Sequence, residues 1–202
     1  MDEPGEEARL DPSPDALFYG PVRLVTHIDR GAIAAVGELY AQLGLEGEML
    51  DLMSSWISHF PHPPRALTGL GMNVAELDAN PALTHRVAQD LNADPGLPFA
   101  GATFDGAVCC VSVDYLVRPL EVFAEVARVL RPGAPFCVTF SNRCFPAKAI
   151  LGWLQADEPG RVAYVRRLFA LTPGFDAVQD ELRTDPAGRG DPLWGVWARR
   201  GG

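Results

Sequence analysis

Between Glu48 and Phe140 the chain alternates short, almost uniformly apolar runs with segments of helix length, and this order limits the possible folds more than any other feature. Strands buried on both faces read as continuous apolar runs, and parallel neighbours need a crossover between them. The alternation therefore predicts a largely parallel sheet covered by helices. Strands are expected over 48–53, 66–70, 85–89, 104–111 and 134–140, with helices over 55–60, 73–78 and 119–130. Pro61 ends the first of these helices and Arg131-Pro132-Gly133 the last. Upstream, Asp29 is placed to cap a helix whose apolar positions Ala32, Ile33, Val36, Leu39, Tyr40 and Leu43 recur at helical spacing, with Gly44 as its stop. Downstream, a long helix over 146–171, interrupted near Pro159-Gly160, leads to strands over 177–183 and 194–200. The turn-rich 185–190 segment between those strands suits an antiparallel hairpin.

A chain of 202 residues can bury one sizeable core, so a single domain over 16–202 is expected. The acidic, proline-bearing stretch 1–15 offers little to bury and reads as a flexible leader. A formal charge of −9 argues against nucleic acid as a partner, because phosphate contacts need a basic face. Arg161, Arg166 and Arg167 read as a solvated face. No apolar run approaches the roughly 20 residues of a membrane span, and Asp2, Glu3, Glu6 and Glu7 stand where a secretory leader would be basic. A cytoplasmic protein without membrane contact is expected. Cys109, Cys110, Cys137 and Cys144 form no disulfide spacing and read as small buried hydrophobes of a reduced protein. His59 and His62 have no second ligand cluster near them, so no metal site is expected.

In open α/β sheets, ligands bind beyond the carboxyl ends of the strands, where strand order reverses. The run Gln89-Asp90-Leu91-Asn92, then Leu97-Pro98-Phe99, Phe104-Asp105-Gly106-Ala107-Val108 and Val129-Leu130-Arg131-Pro132-Gly133, resembles the middle of a class I S-adenosylmethionine-dependent methyltransferase of type 11. The resemblance implies a Rossmann-like class I methyltransferase fold: a mostly parallel seven-stranded sheet with a C-terminal antiparallel strand and helices on both faces. It implies S-adenosylmethionine as cofactor, S-adenosylhomocysteine as product and a small-molecule acceptor. By position, Asp51 opens the first ligand loop. Asp90 faces the adenine amino group with Leu91 and Asn92 beside it, and Val111 or Ser112 underlies the methionine part. Asp114 and Tyr115 face the acceptor.

Two positions depart from the family pattern. Its first loop is glycine-rich, because the main chain must approach the ligand and aim N–H groups at its carboxylate. Here the loop reads Asp51-Leu52-Met53-Ser54-Ser55-Trp56-Ile57, with Met53, Ser55 and Ile57 where glycines are expected. The acidic residue that would hold the ribose hydroxyls at the end of the second strand is Gly71, and Asn73 or Glu76 could substitute. On one reading the Ser54 and Ser55 hydroxyls take over the ligand carboxylate while Trp56 or Met72 packs on its apolar parts. On the other the pocket is lost and Trp56 is core. The full sequence is similar to a divergent group of methyltransferase-like proteins sharing this Ser-Ser-Trp loop. The matching stretches include Phe18-Tyr19, Val25-Thr26-His27-Ile28-Asp29 and Phe140-Ser141-Asn142-Arg143-Cys144-Phe145-Pro146.

Tyr19 and His27 could close over the ligand, or Tyr19 could equally be a half-buried anchor, and Ser141, Asn142 and Arg143 offer a hydroxyl, an amide and a fork-shaped cation that suits a carboxylate. Equally, Asn142 and Arg143 could cap a helix starting at Pro146. His59, with an ordinary pKa near neutrality, is the more natural candidate for a base, the alternative being a histidine satisfied within the fold, and Asp114 and Tyr115 are further candidates. The expected activity is methyl transfer to a small molecule. The alternative is a non-catalytic domain of the same fold that binds a metabolite or a partner protein. A nicotinamide oxidoreductase is disfavoured, since its glycine fingerprint and strand-end acid are both missing.

Overall fold

The computed structural model describes residues 5–202, and Met1 to Pro4 lie outside it. A short helix α1 (Asp15–Tyr19) and a longer α2 (Arg30–Leu43) precede β1 (Glu48–Leu52), β2 (Ala66–Gly71), α3 (Val74–Ala79), β3 (His85–Ala88) and β4 (Gly106–Cys110). Then follow α4 (Pro119–Val129), β5 (Pro135–Phe140), α5 (Leu151–Gln155), α6 (Glu158–Leu171), β6 (Gln179–Leu182) and β7 (Trp194–Arg199). The strands form one sheet in the order β3-β2-β1-β4-β5-β7-β6. β1 to β5 run parallel, while β7 is antiparallel to both β5 and β6. This is the Rossmann-like class I methyltransferase architecture expected above, and every expected strand is present.

Period-two alternation distributes each strand between two cores. Leu50, Leu52, Ala107, Cys109, Phe136 and Val138 face α4 and α6, where Phe123, Phe136 and Phe169 stack edge to face with centroids 5.0–5.4 Å apart. Met49, Val108 and Cys137 face the other way, against Val36, Leu39 and Tyr40 of α2 and Leu77 of α3. Each large side chain buried this way stabilises the fold by about 1.5–3 kcal/mol. The two edge strands are short and polar, with His85 and Arg86 on β3 and Asp180 and Glu181 on β6, which discourages edge-to-edge association.

The helix ends follow the sequence signals in part. Asp29 Oδ1 accepts the Ala32 N–H at 2.9 Å, and Gly44 closes α2 in the left-handed region at φ 69°. The long helix expected over 146–171 is instead two helices. Residues 146–150 make a turn, because the Ile150 N–H is taken by the Asp114 carbonyl and the Leu151 N–H by that of Ala8. The break before α6 falls at Ala156-Asp157 rather than at Pro159-Gly160. Asp157 caps α6, and Pro159 sits in its first turn, where a missing N–H leaves no bond unmade.

The amino-terminal stretch buries more than its composition suggested. From Glu6 to Asp15 it lies along residues 147–152: Gly152 N–H donates to Glu6 O at 2.9 Å, Leu151 N–H to Ala8 O at 2.7 Å and Asp11 N–H to Ala147 O at 2.9 Å. Lys148, fully buried, reaches this stretch through its ammonium group, which donates to Ser13 O at 2.7 Å and lies 3.4 Å from Asp15, itself paired with Arg9.

Candidate ligand-binding site

The order of the sheet reverses between β1 and β4, and both strands end there in a backbone conformation that side chains disfavour. Met53, just after β1, has φ 55°, and Val111, just after β4, has φ 46°. A positive φ is unusual outside glycine and an outlier for a β-branched valine, and such strain concentrates at functional sites. The two turns open a cavity of about 510 Å³, within the range of small-molecule sites. It is lined from the carboxyl ends of β1, β2 and β4, from Asp90, Leu91 and Asn92 after β3, and from the segment between α1 and α2. Of the residues expected at the site, Tyr19, His27, Asp51, Met53, Ser54, Ser55, Trp56, His59, Gly71, Met72 and Asn73 line it. Asp90, Leu91, Asn92, Val111, Ser112, Tyr115, Asn142 and Arg143 do so as well. Asp114 and Ser141 do not. Asp114, 2% exposed in the short turn after β4, is turned into the protein, and Ser141 Oγ accepts the Arg143 N–H at 3.0 Å.

The connection from β1 to β2 contains no helix, contrary to the one expected over 55–60. Its groups are claimed by other elements: Ser54 N–H donates to Leu70 O at 2.8 Å, Asn80 Nδ2 to Ser55 O at 2.9 Å and Trp56 Nε1 to Val25 O at 3.0 Å. Pro61, Pro63 and Pro64 prevent helix further on. The loop thus lies across the end of β2. A Cβ on Gly71 would stand 2.1 Å from the Ser54 carbonyl oxygen, so the acidic side chain that the family places there has no room.

The serine hydroxyls are also spent. Ser54 and Ser58 donate to Asp51 Oδ2 at 2.7 and 2.6 Å, and Ser55 donates to Glu76 Oε2 at 2.5 Å. A hydroxyl has one proton, so none of the three has a donor left for a ligand carboxylate. The main-chain N–H groups of Ser55 to Phe60 meet no acceptor among the described residues, and with the ring N–H of His59 they are donors this loop has left. Asn73 is committed as well. Its amide donates to Tyr19 O and Gly20 O at 3.0 Å, and its Oδ1 caps α3. Asn92 bridges Asp15, the Tyr115 carbonyl and the Val117 N–H, which makes it a brace.

Three carboxylates border the cavity with capacity to spare. Glu76 accepts from Ser55 and, through Oε1, from the Arg23 N–H at 2.8 Å. Asp90 Oδ1 accepts the N–H groups of Asn92 and Ala93, leaving Oδ2 unengaged among the described residues. Asp51 is 5% exposed, and burial pushes its carboxyl up to about 6 against the serine hydrogen bonds that lower it. Unfolded, this group ionises near 3.8. The folded state therefore carries no penalty below that pH and the whole of it above about 6, so stability falls as pH rises through this window. Asp114, pushed by burial to about 7, acts in the same sense. Asp51→Asn should raise stability at pH 8 by on the order of 3 kcal/mol, with the gain fading towards pH 4. Urea melts across that range test it, and a pH-independent difference would reject the assignment.

An aromatic cluster closes one side. Phe145 sits edge-on to Phe18 at 5.3 Å and to His27 at 5.1 Å, and Tyr19 lies 6.2 Å from Tyr115. Tyr115 Oη accepts the Phe145 N–H at 2.8 Å, and the buried Tyr19 hydroxyl has no partner among the described residues. Burial, with Asp114 nearby, pushes the Tyr115 phenol well up, so at neutral pH it is a donor and not a base. Burial moves His59 the other way and keeps it neutral. Arg143 is 64% exposed and 3.8 Å from Asp191, and it caps no helix, since none begins at Pro146. Asn80, Ser58 and Tyr40 also shape this site, from helix and loop positions that carry no functional signal of their own. No group of three potential metal ligands occurs among the described residues.

Comparison with known proteins agrees with this architecture. Residues 61–138 match the family model described as a methyltransferase domain, a span that begins after the Ser54-Ser55-Trp56 loop. A biotin biosynthesis bifunctional protein of Teredinibacter turnerae is 29% identical over 89 residues, 42% of this chain and 15% of that protein's length. A structure of a Haloferax volcanii putative methyltransferase with the Trm112 methyltransferase activator is similar at TM-score 0.60 and 12% identity, covering 85% of this chain and 91% of its own. The [4+2]-cyclase SpnF is similar at TM-score 0.58 and 15% identity, over 92% and 91%. Phosphoethanolamine N-methyltransferase 2 of Haemonchus contortus, solved with S-adenosyl-L-methionine, is similar at TM-score 0.58 and 11% identity, over 84% and 52%.

Proposed function

We propose that this chain, whose fold and central segment are those of the class I S-adenosylmethionine-dependent methyltransferases, binds S-adenosylmethionine in the strand-end cavity and transfers its methyl group to a small-molecule acceptor. The observation that carries the reading is the ring of Asp51, Glu76 and Asp90 around a cavity at the switch point of the sheet. The residues fit the cofactor with one rearrangement. Asp90 Oδ2 and Leu91 would take the adenine, and Glu76, from the first turn of α3, would take the ribose hydroxyls that Gly71 cannot. Asp51 would take the ammonium of the methionine part, and the main-chain N–H groups after Ser54 its carboxylate.

The bound sulfonium supplies an activated methyl group, so the protein's task is alignment and exclusion of water. Tyr19, His27 and Phe145 cover the crevice. His59, neutral and on the cavity wall, accepts the acceptor's proton where its pKa requires removal, and the Tyr115 phenol holds a polar group in place as a donor.

Titration calorimetry with S-adenosylmethionine and S-adenosylhomocysteine tests the reading. Asp90→Ala and Glu76→Gln should each weaken binding by roughly 1.5–3 kcal/mol, the value of a hydrogen bond to a charged group, while Asn73→Ala, which releases the Tyr19 and Gly20 carbonyls, acts through stability and a looser cover and not through a lost contact to the ligand. Unchanged affinity in Glu76→Gln would return the ribose to another residue. The Ser54 carbonyl filling the Gly71 position favours a second reading, a non-catalytic domain that binds a different metabolite or a partner. Absence of any heat or thermal shift with both compounds at large excess would decide for it.

A further inference from the structure

The polar side chains on the cavity wall divide into two groups. Around the ends of β1, β2 and β3 most donors are spent on the protein itself: Ser54, Ser55 and Ser58 on carboxylates, and Asn73 and Gln89 on main-chain oxygens. What keeps spare capacity there is acidic, namely Asp51, Glu76 and Asp90. Beyond β5 the opposite holds. Asn142 and Arg143 follow that strand, and Thr26 and His27 lie against the same loop, where the His27 and Phe145 rings meet at 5.1 Å. All four residues are exposed and line the cavity, and none of their side chains makes a hydrogen bond among the described residues.

The loop after β5 is shaped to present its donors. Ser141 Oγ accepts the Arg143 N–H at 3.0 Å and Tyr115 Oη the Phe145 N–H at 2.8 Å, so the main chain is pinned on either side of Cys144. Arg143 Nε lies 3.8 Å from Asp191 Oδ1, beyond hydrogen-bond reach. A loose, exposed pair of this kind contributes little, and it leaves the guanidinium fork open to a planar anion. Asp191 and Asp29 do not line the cavity, and each accepts the other's main-chain N–H, at 3.0 and 2.7 Å, which fixes the acid behind Arg143. Charge narrows the ligand further. Burial holds the His27 imidazole below its usual pKa and so neutral at pH 7, and the Arg23 guanidinium lies over the Phe18 ring at 4.7 Å and donates to Pro21 O at 3.3 Å. Arg143 is then the open cation at this rim. One positive charge with two carboxylates behind it matches a single negative charge and disfavours a doubly charged phosphate. The acids around β1, β2 and β3 repel an anion from the rest of the cavity.

We infer that the acceptor is a small molecule whose carboxylate is held at this rim by the Arg143 guanidinium and the Asn142 amide, with its body against Phe145. In the sequence the residue types alone suggested a carboxylate for Arg143. The fold removes Ser141 from the set, leaves Asn142 and Arg143 unspent on the cavity wall, and gathers the acids suited to the cofactor at the other strand ends. A carboxylate neutralised by a guanidinium is a weakened nucleophile, so it serves as the handle and another atom takes the methyl group. A cavity of about 510 Å³ has to hold cofactor and acceptor together, which keeps the acceptor small. Only the word acceptor rests on the methyltransferase reading.

The test uses the full chain and three probes of similar shape, benzoate, benzamide and the dianion of phenylphosphonate, titrated by ligand-observed nuclear magnetic resonance with and without S-adenosylhomocysteine. Benzoate should bind at least about tenfold more tightly than either of the others. Arg143→Gln should lose about tenfold of that affinity, the equivalent of one hydrogen bond to a charged group, and Asn142→Ala a smaller share. Arg143→Lys, which keeps the charge without the fork, should recover only part of it. Both positions are exposed, so the denaturation midpoint should stay where it is, and none of the variants should alter the heat of S-adenosylhomocysteine binding. Equal or tighter binding of benzamide or phenylphosphonate overturns the inference, as does benzoate affinity indifferent to Arg143→Gln. Loss of S-adenosylhomocysteine binding in Arg143→Gln also overturns it, by giving the guanidinium to the cofactor's own carboxylate. Benzoate held through Arg143 by a chain that ignores S-adenosylhomocysteine removes the methyltransferase reading and leaves a carboxylate site.

Discussion

Gly71→Asp, which restores the acid that the family carries at the end of its second strand, should lower stability by about 3 kcal/mol and abolish S-adenosylhomocysteine binding rather than improve it. The Cβ would lie 2.1 Å from the Ser54 carbonyl oxygen, 3.1 Å from its carbon and 3.3 Å from Leu77 Cδ2. The oxygen cannot swing aside cheaply. The same residue's N–H is bonded to Leu70 O at 2.8 Å, and its hydroxyl is held by the buried Asp51. Either β2 shifts, against its pairing with β1, or the loop lets go and frees Ser54, Ser55 and Ser58 together. Overpacking of this kind typically costs about 1–3 kcal/mol, and the backbone identity of the obstacle puts this case at the upper end. Gly71→Ala should show most of the loss, since the clash begins at Cβ. Urea denaturation and calorimetry on both variants measure it. A Gly71→Asp protein with an unchanged midpoint and a gain in affinity would mean that the loop yields readily and that Glu76 is not needed at the ribose.

The same position explains why part of the site could be read from the sequence and part could not. The strands were legible because burial on both faces leaves an unbroken apolar run, and the ends of such runs mark the crevice. Asp90 was singled out through the resemblance, and the fold puts it on the cavity wall. The loop after β1 was not. Its composition fits a short helix, and only tertiary partners, Asn80 at Ser55 and Ser58 and Val25 at Trp56, draw it flat over β2. Asn80 is fully buried, yet in the sequence it is an unremarked residue before Pro81. In the sequence Asn73, nearer to Gly71, stood ahead of Glu76 as its substitute. Only the count of hydrogen bonds, with Asn73 saturated and Glu76 not, reverses that order. The exchange of a glycine loop for Ser54-Ser55 suggested hydroxyls facing the ligand, whereas the hydroxyls face Asp51 and Glu76. Serine supplies polarity, but its direction is a property of the fold.

Lys148→Met should destabilise the chain by about 3 kcal/mol or more and loosen residues 6–19 before the sheet. The lysine lies amid Ala147, Ala149 and Ile150, in an otherwise apolar stretch. In the fold its ammonium group is wholly buried, 3.1 Å from Asp11 and 3.4 Å from Asp15, and bonded to the carbonyls of Ser13 and Asp11. Removing one partner of a buried ionic cluster typically costs about 3–5 kcal/mol, because the remaining charge stays desolvated. Here Arg9 and Asn92 still serve Asp15, which sets the lower figure. The consequence reaches the site, since Asn92 also holds the Tyr115 carbonyl, and Asn73 grips the end of α1 through Tyr19 and Gly20. Loss of the lysine should therefore raise hydrogen exchange at 6–19 and weaken S-adenosylhomocysteine binding through a looser cover, with exchange in β1, β4 and β5 changed only by the drop in global stability. Exchange in the amino-terminal stretch equal to that of the parent chain, with an unaltered denaturation midpoint, would show that the buried ammonium group carries no structural burden and that the cover over the crevice is held by its aromatic contacts alone.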